Sequence, residues 1–209
     1  MQTGPFLTGQ GHPACRRTLE LHSQQGAAQM TTKMGTVAIF GTSKAAPGDD
    51  VFESAVELGR LLASAGYTIA NGGYGGTMLA AAKGARRAGG EVIGVTCSAF
   101  KRARANEYLT RRIPTDSLQE RISTLVALGS AYFVLPGGTG TLLELAEVWE
   151  LKNKCFAAAD KPIIIVGDFW SDLIELMKQA DPESVNCVAV AGRPRQAVEM
   201  LISGAFGKD

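Results

Sequence analysis

Ala131-Tyr132-Phe133-Val134-Leu135-Pro136-Gly137-Gly138-Thr139-Gly140-Thr141-Leu142-Leu143-Glu144 is the stretch from which the fold can be read. Its first five residues form an apolar run of strand length. Beyond the Gly-rich turn, Leu142, Leu145, Ala146, Val148 and Trp149 recur at helical spacing. A strand that passes through such a turn into a helix N-terminus makes an anion site, because the first amides of a helix lack carbonyl partners and converge on one point. A phosphate group is the expected guest. Glu144 stands one helical turn beyond the loop, and a carboxylate beside a phosphate cradle points to chemistry as well as binding.

The same alternation extends in both directions. Apolar runs at Thr36 to Phe40, Tyr67 to Ala70, Glu91 to Val95, Ile163 to Val166 and Val188 to Val190 read as further strands. Amphipathic segments between them read as helices: Asp50 to Ala65, closed by Gly66; Gly75 to Ala88; Ser117 to Leu128; Gly140 to Lys152; Trp170 to Gln179; and Arg195 to Ile202. Glu120, three residues after Ser117, predicts a capping box. Continuously apolar strands separated by helices imply a parallel sheet covered on both faces. The expected fold is therefore α/β, a single Rossmann-like doubly wound domain over residues 35–209, with its ligand at the carboxyl ends of the strands.

Three Gly-rich turns fall at those ends. Gly41-Thr42-Ser43-Lys44 follows the first strand, Asn71-Gly72-Gly73-Tyr74-Gly75-Gly76-Thr77 the second, and the Pro136 loop the strand quoted above. The dinucleotide fingerprint is absent: no G-x-G-x-x-G follows the first strand, and Asn71 stands where an acidic residue would end the second. A mononucleotide or sugar phosphate fits better than a dinucleotide.

Composition removes other classes. The chain has 209 residues, 45% hydrophobic and 20% charged, with a formal net charge of +1, so no global field draws it to nucleic acid or a membrane surface. No apolar run reaches the ~18 residues of a membrane-spanning helix. Cys15, Cys97, Cys155 and Cys187 have no short pairing interval, which suggests neither a zinc knuckle nor a redox pair and suits a reducing cytoplasm. Residues 1–34, rich in Gln, Gly and Thr, read as a disordered extension. Both histidines, His12 and His22, lie in it. A domain without histidine leaves carboxylate, arginine, lysine, tyrosine and backbone as the chemical actors, with no metal and no cofactor expected.

On these residues the chain resembles the LOG family, the "lysine decarboxylase-like" Rossmann proteins that include cytokinin-activating phosphoribohydrolases and nucleotide monophosphate nucleosidases. The hallmark P-G-G-x-G-T-x-x-E is complete as Pro136 to Glu144, and the hallmark arginine fifteen residues before the proline is Arg121. Two positions depart from the pattern: the arginine's usual Met and Lys neighbours are Leu118 and Ile122, and the tyrosine often found inside the loop is Thr139.

The resemblance implies cleavage of a purine-type nucleoside 5′-monophosphate, AMP or N6-substituted AMP, to free base and ribose 5-phosphate. Such a reaction passes through an oxocarbenium-like sugar that a carboxylate beneath the ring stabilises. Glu144 and Arg121 are the catalytic candidates, Arg121 either orienting the carboxylate or holding ribose and phosphate. Gly137, Gly138, Thr139, Gly140 and Thr141 would take the phosphate, Glu147 the ribose hydroxyls. Gly41, Thr42, Ser43, Gly72, Gly73, Gly75, Gly76 and Thr77 would complete the site. The basic cluster Lys101, Arg102, Arg104, Arg111 and Arg112 reads as a solvated loop placed to close over an anion, and Tyr74 and Tyr108 as rings able to stack a base or to pack at an interface. A nucleotide or molybdenum-cofactor carrier of the same fold is the alternative. Apolar stripes on the Ser117 helix (Leu118, Ile122, Leu125, Val126, Leu128) and the Gly140 helix (Leu145, Val148, Trp149, Leu151) suggest a homodimer.

Overall fold

The computed structural model describes residues 34–101, 104–156 and 160–205. The extension with its histidines and Cys15, and Arg102 of the basic cluster, lie outside the described residues. In chain order the elements are β1 (Thr36–Phe40), α1 (Asp50–Ser64), β2 (Thr68–Asn71), α2 (Thr77–Arg87), β3 (Val92–Cys97), β4 (Arg111–Thr115) and α3 (Leu118–Leu128). They continue with β5 (Ala131–Val134), α4 (Thr139–Asn153), β6 (Ile163–Val166), α5 (Ser171–Ala180), β7 (Val188–Ala191) and α6 (Pro194–Ser203).

The strands form one sheet in the order β4-β3-β2-β1-β5-β6-β7, every pairing parallel. The order reverses between β1 and β5, where Ala38 lies opposite Tyr132 and Phe40 opposite Val134. The chain therefore leaves these two adjacent strands toward opposite sides, opening the crevice in which doubly wound sheets hold ligands. One face of the sheet packs α1, α2 and α6 around Ile39, Leu58, Ile69 and Phe133. The other packs α3, α4 and α5 around Phe40, Leu125, Tyr132 and Leu145.

The basic stretch after β3 departs from expectation. Arg111 and Arg112 belong to an edge strand, not to a solvated loop: Arg112 pairs with Gly94 in the β3–β4 register and its Nε donates to Thr96 Oγ1 at 3.1 Å. Pro114 is tolerated there because an edge strand is hydrogen-bonded on one side only. Among its described residues the connection from β3 back to β4 contains no helix. It is fastened by Asn106, whose N–H donates to Gly73 C=O and whose Nδ2 donates to Tyr74 C=O, and by Leu109, which packs in the space left by the missing side chain of Gly94. Tyr108 packs with Leu109 against the α1/α2 core.

The N-terminus of α3 is capped as expected on one side, Ser117 Oγ accepting the Glu120 N–H at 3.1 Å. The reciprocal bond shifts by one residue, Glu120 Oε2 taking the N–H of Asp116 at 2.8 Å. Most of the apolar stripes of α3 and α4 are consumed by the chain's own sheet: Ile122, Leu125, Val126, Leu145, Val148 and Trp149 are all buried. Leu118, Leu142 and Leu143 remain exposed at the starts of the two helices.

Candidate functional site

Three turns meet at the carboxyl ends of β1, β2 and β5 and are fastened to one another through Thr42. Its N–H donates to Pro136 C=O at 3.1 Å, while its own C=O accepts both the N–H and the Oγ1–H of Thr77, at 2.9 and 3.1 Å. Asn71, wholly buried at the end of β2, shapes the second turn: Oδ1 accepts the Gly73 N–H and Nδ2 donates to Met78 C=O. The polar groups of Gly73 and Thr77 thus serve to hold the turns in place.

Beside these turns lies a cavity of about 1120 Å³, open on one side. Of the residues singled out in the sequence, Gly41, Thr42, Ser43, Gly72, Tyr74, Lys101, Arg121, Gly138, Thr139, Gly140, Thr141 and Glu144 line it. Gly73, Gly75, Gly76, Thr77, Gly137 and Glu147 are not in its lining. Glu147 sits half-buried one turn further along α4.

The Pro136 turn has two kinds of glycine. A side chain on Gly137 would collide with Thr141, so its absence lets the turn lie flat on the first turn of α4. Around Gly138 and Gly140 a Cβ would meet nothing within 4 Å, and both residues border the cavity. The helical ladder begins with Leu142 N–H donating to Gly138 C=O. The amides of Thr139, Gly140 and Thr141 precede that ladder and are the usual anion donors of a helix start.

Arg121 and Glu144 come from consecutive helices, α3 and α4, on one face of the sheet. Arg121 Nη1 lies 3.2 Å from Glu144 Oε1, with both side chains about one-tenth exposed or less. The other guanidinium nitrogens face the protein as well: Nε donates to Val95 C=O at 3.0 Å, and Nη2 is 3.9 Å from Met78 Sδ. Tyr74 and Phe100 rings lie 5.9 and 5.8 Å from the guanidinium carbon. Of the two roles the sequence left open for Arg121, this geometry favours orienting the carboxylate, because its fork of donors is directed at protein atoms. Burial pushes the Glu144 carboxyl up to about 7, against the lowering pull of the Arg121 charge and hydrogen bond. A carboxylate near neutrality suits a group that must carry charge or exchange a proton at the pH of a cell.

The cavity also has lining residues that the sequence reading did not assign to the site. Ile39, Phe40, Lys44, Met78, Ala99, Phe100, Leu118 and Ile122 complete its wall. Met78 was legible only as a helix residue and Phe100 only as part of a loop. Among the described residues no group of three or more His, Cys, Asp or Glu side chains is placed to hold a metal ion.

Comparison with known proteins agrees with this architecture. The model of the SLOG cluster4 family matches residues 34–197. A cytokinin riboside 5′-monophosphate phosphoribohydrolase of Mycobacterium tuberculosis is 34% identical over 137 residues, covering 65% of this chain and 71% of that protein. The protein of the same name from Rhodococcoides fascians is 27% identical over 185 residues, covering 86% of this chain and 91% of its own. Among solved structures, the molybdenum cofactor binding protein of Rippkaea orientalis superposes with a TM-score of 0.67 at 27% identity, covering 82% of this chain and 97% of that one.

Proposed function

The chain belongs to the SLOG cluster4 family, and from that premise we propose that it is a phosphoribohydrolase, cleaving the N-glycosidic bond of AMP or an N6-substituted AMP. The observation that carries the reading is the buried Arg121–Glu144 pair, 3.2 Å apart and lining the same cavity as the open glycines of the Pro136 turn. The curated names of the phosphoribohydrolase relatives support it.

In this reading the amides of Thr139, Gly140 and Thr141 hold the 5′-phosphate and so position the sugar over α4. Glu144, ionised, stabilises the positive charge that develops on the ribose as the bond from C1′ to the base lengthens. Water adds at C1′, the base leaves with a proton, and ribose 5-phosphate remains. Arg121 keeps the carboxylate aimed and favours its charged form. The protein would work in the cytoplasm as a homodimer, with Leu118, Leu142 and Leu143 exposed near the cavity as the self-complementary patch.

The test is release of ribose 5-phosphate from AMP, N6-substituted AMP and adenosine by the purified chain. AMP should be turned over far faster than adenosine, which lacks the charge-assisted bonds of the phosphate. Equal rates would remove the glycine turn from substrate binding. Light scattering of the same preparation should give a dimer.

One observation favours a second reading, a carrier of a molybdenum-cofactor-like ligand. The cavity of about 1120 Å³ exceeds the ~300–1,000 Å³ usual for small-molecule sites. The Rippkaea orientalis protein has this fold. Tight binding of nucleotides with no release of ribose 5-phosphate would favour the carrier.

A further inference from the structure

Phe100 belongs to neither hydrophobic core of the sheet. It follows β3 in a turn closed by its own N–H donating to Cys97 C=O at 3.2 Å, and it leaves a large apolar ring 40% exposed on the wall of the cavity. The ring is nonetheless held. It meets Tyr74 edge to face, with centroids 5.9 Å apart and planes at 69°. Tyr74 is in turn fixed to the end of β3, its hydroxyl accepting the Cys97 N–H at 2.7 Å and lying 3.2 Å from Cys97 C=O. An exposed aromatic that is already oriented before any ligand arrives loses little freedom on binding.

Its position relative to Glu144 bears on what the cavity could hold. Phe100 lies against one side of the Arg121 guanidinium, whose Nη1 touches Glu144. A nucleotide whose sugar carbon sits at Glu144 therefore carries its base within reach of the ring. Ala99 beside it and Leu118 and Ile122 of α3 add apolar wall to the same cavity, whose lining also includes the polar side chains of Lys101, Lys44 and Ser43. We infer that Phe100 is the base platform of the cavity, holding a flat aromatic base by stacking. This rests on the phosphoribohydrolase reading and deepens it by naming what holds the base.

The test measures binding of AMP and of ribose 5-phosphate by calorimetry in a Glu144→Gln background, where AMP survives the titration. Adding Phe100→Ala should weaken AMP by about tenfold, the scale of one base–aromatic stack, and leave ribose 5-phosphate unchanged. Phe100→Trp should restore AMP affinity. Unchanged AMP affinity in Phe100→Ala, equal weakening of both ligands, failure of Phe100→Trp to rescue, or no AMP binding before Phe100 is altered would each overturn the platform. Turnover by the unmodified chain is a separate measurement: AMP bound through Phe100 but never hydrolysed would end the hydrolase reading and leave the platform standing.

Discussion

Gly72 and Arg121 compete for the same space: a Cβ on Gly72 would collide with Arg121 Nη2. The guanidinium reaches Glu144 only because the second turn carries no side chain at that point. Gly72→Ala should therefore displace the guanidinium and lower kcat to a similar degree as Arg121→Ala. The double variant should be hardly worse than either, since both remove one interaction. Independent, additive losses in steady-state kinetics would show that Gly72 acts through something other than the pair.

Replacing Glu144 with Gln keeps the shape of the site and removes the charge. Turnover should fall by roughly a hundredfold or more, the scale of losing one positioned acid-base or electrostatic group. Affinity for ribose 5-phosphate should stay near its original value, because in the proposed binding mode the α4 amides hold the phosphate. Near-normal turnover would remove Glu144 from the mechanism.

The carboxyl of Glu144 titrates near 7, so kcat should rise with pH across neutrality as the group ionises. Arg121→Ala removes the positive charge that lowers this value, and the rising limb should move to higher pH. Stability has the opposite dependence. A carboxyl whose folded value lies above its unfolded value holds an extra proton in the folded chain, so its contribution is complete below the ordinary carboxylate range and is lost as pH rises through about 7. Thermal melts should show the Glu144→Gln chain gaining on the original between pH 5 and 8. A difference between the two that is constant with pH would contradict the burial argument.

The glycines of the Pro136 turn should separate into two phenotypes. Gly137→Ala collides with Thr141 and should lower Tm. Gly138→Ala and Gly140→Ala place a methyl into open space on the cavity wall. They should leave Tm nearly unchanged while weakening ribose 5-phosphate. A Gly140→Ala chain that binds ribose 5-phosphate normally would mean that the phosphate sits elsewhere.

Much of this arrangement was legible from residue chemistry. The apolar runs at Thr36–Phe40 and Ile163–Val166 match β1 and β6 residue for residue, because strands buried on both faces admit few polar side chains. β4 was not legible, since Arg111-Arg112-Ile113-Pro114-Thr115 has neither an apolar run nor alternation and is held by its backbone bonds to β3. Arg121 left a signal independent of any resemblance: it falls on the same side of its helix as Leu118 and Leu125, an apolar stripe on which a cation needs a partner. Phe100 left none. An aromatic residue in a loop has no period to violate, and only its half-exposed ring beside a cavity marks it.

The crossover from β3 to β4 is built separately from the helices that carry the ion pair. Glu144 and Arg121 are set by the single strand β5 between their helices, while Phe100 and Lys101 ride on a connection anchored by Asn106 and Leu109. Exchanging residues 98–105 for another sequence of equal length would alter what the cavity grips while leaving the Arg121–Glu144 pair and the Pro136 turn in register. What the cavity accepts and how its buried ion pair is held are thus written in separate segments of the chain, so that one can be changed without disturbing the other.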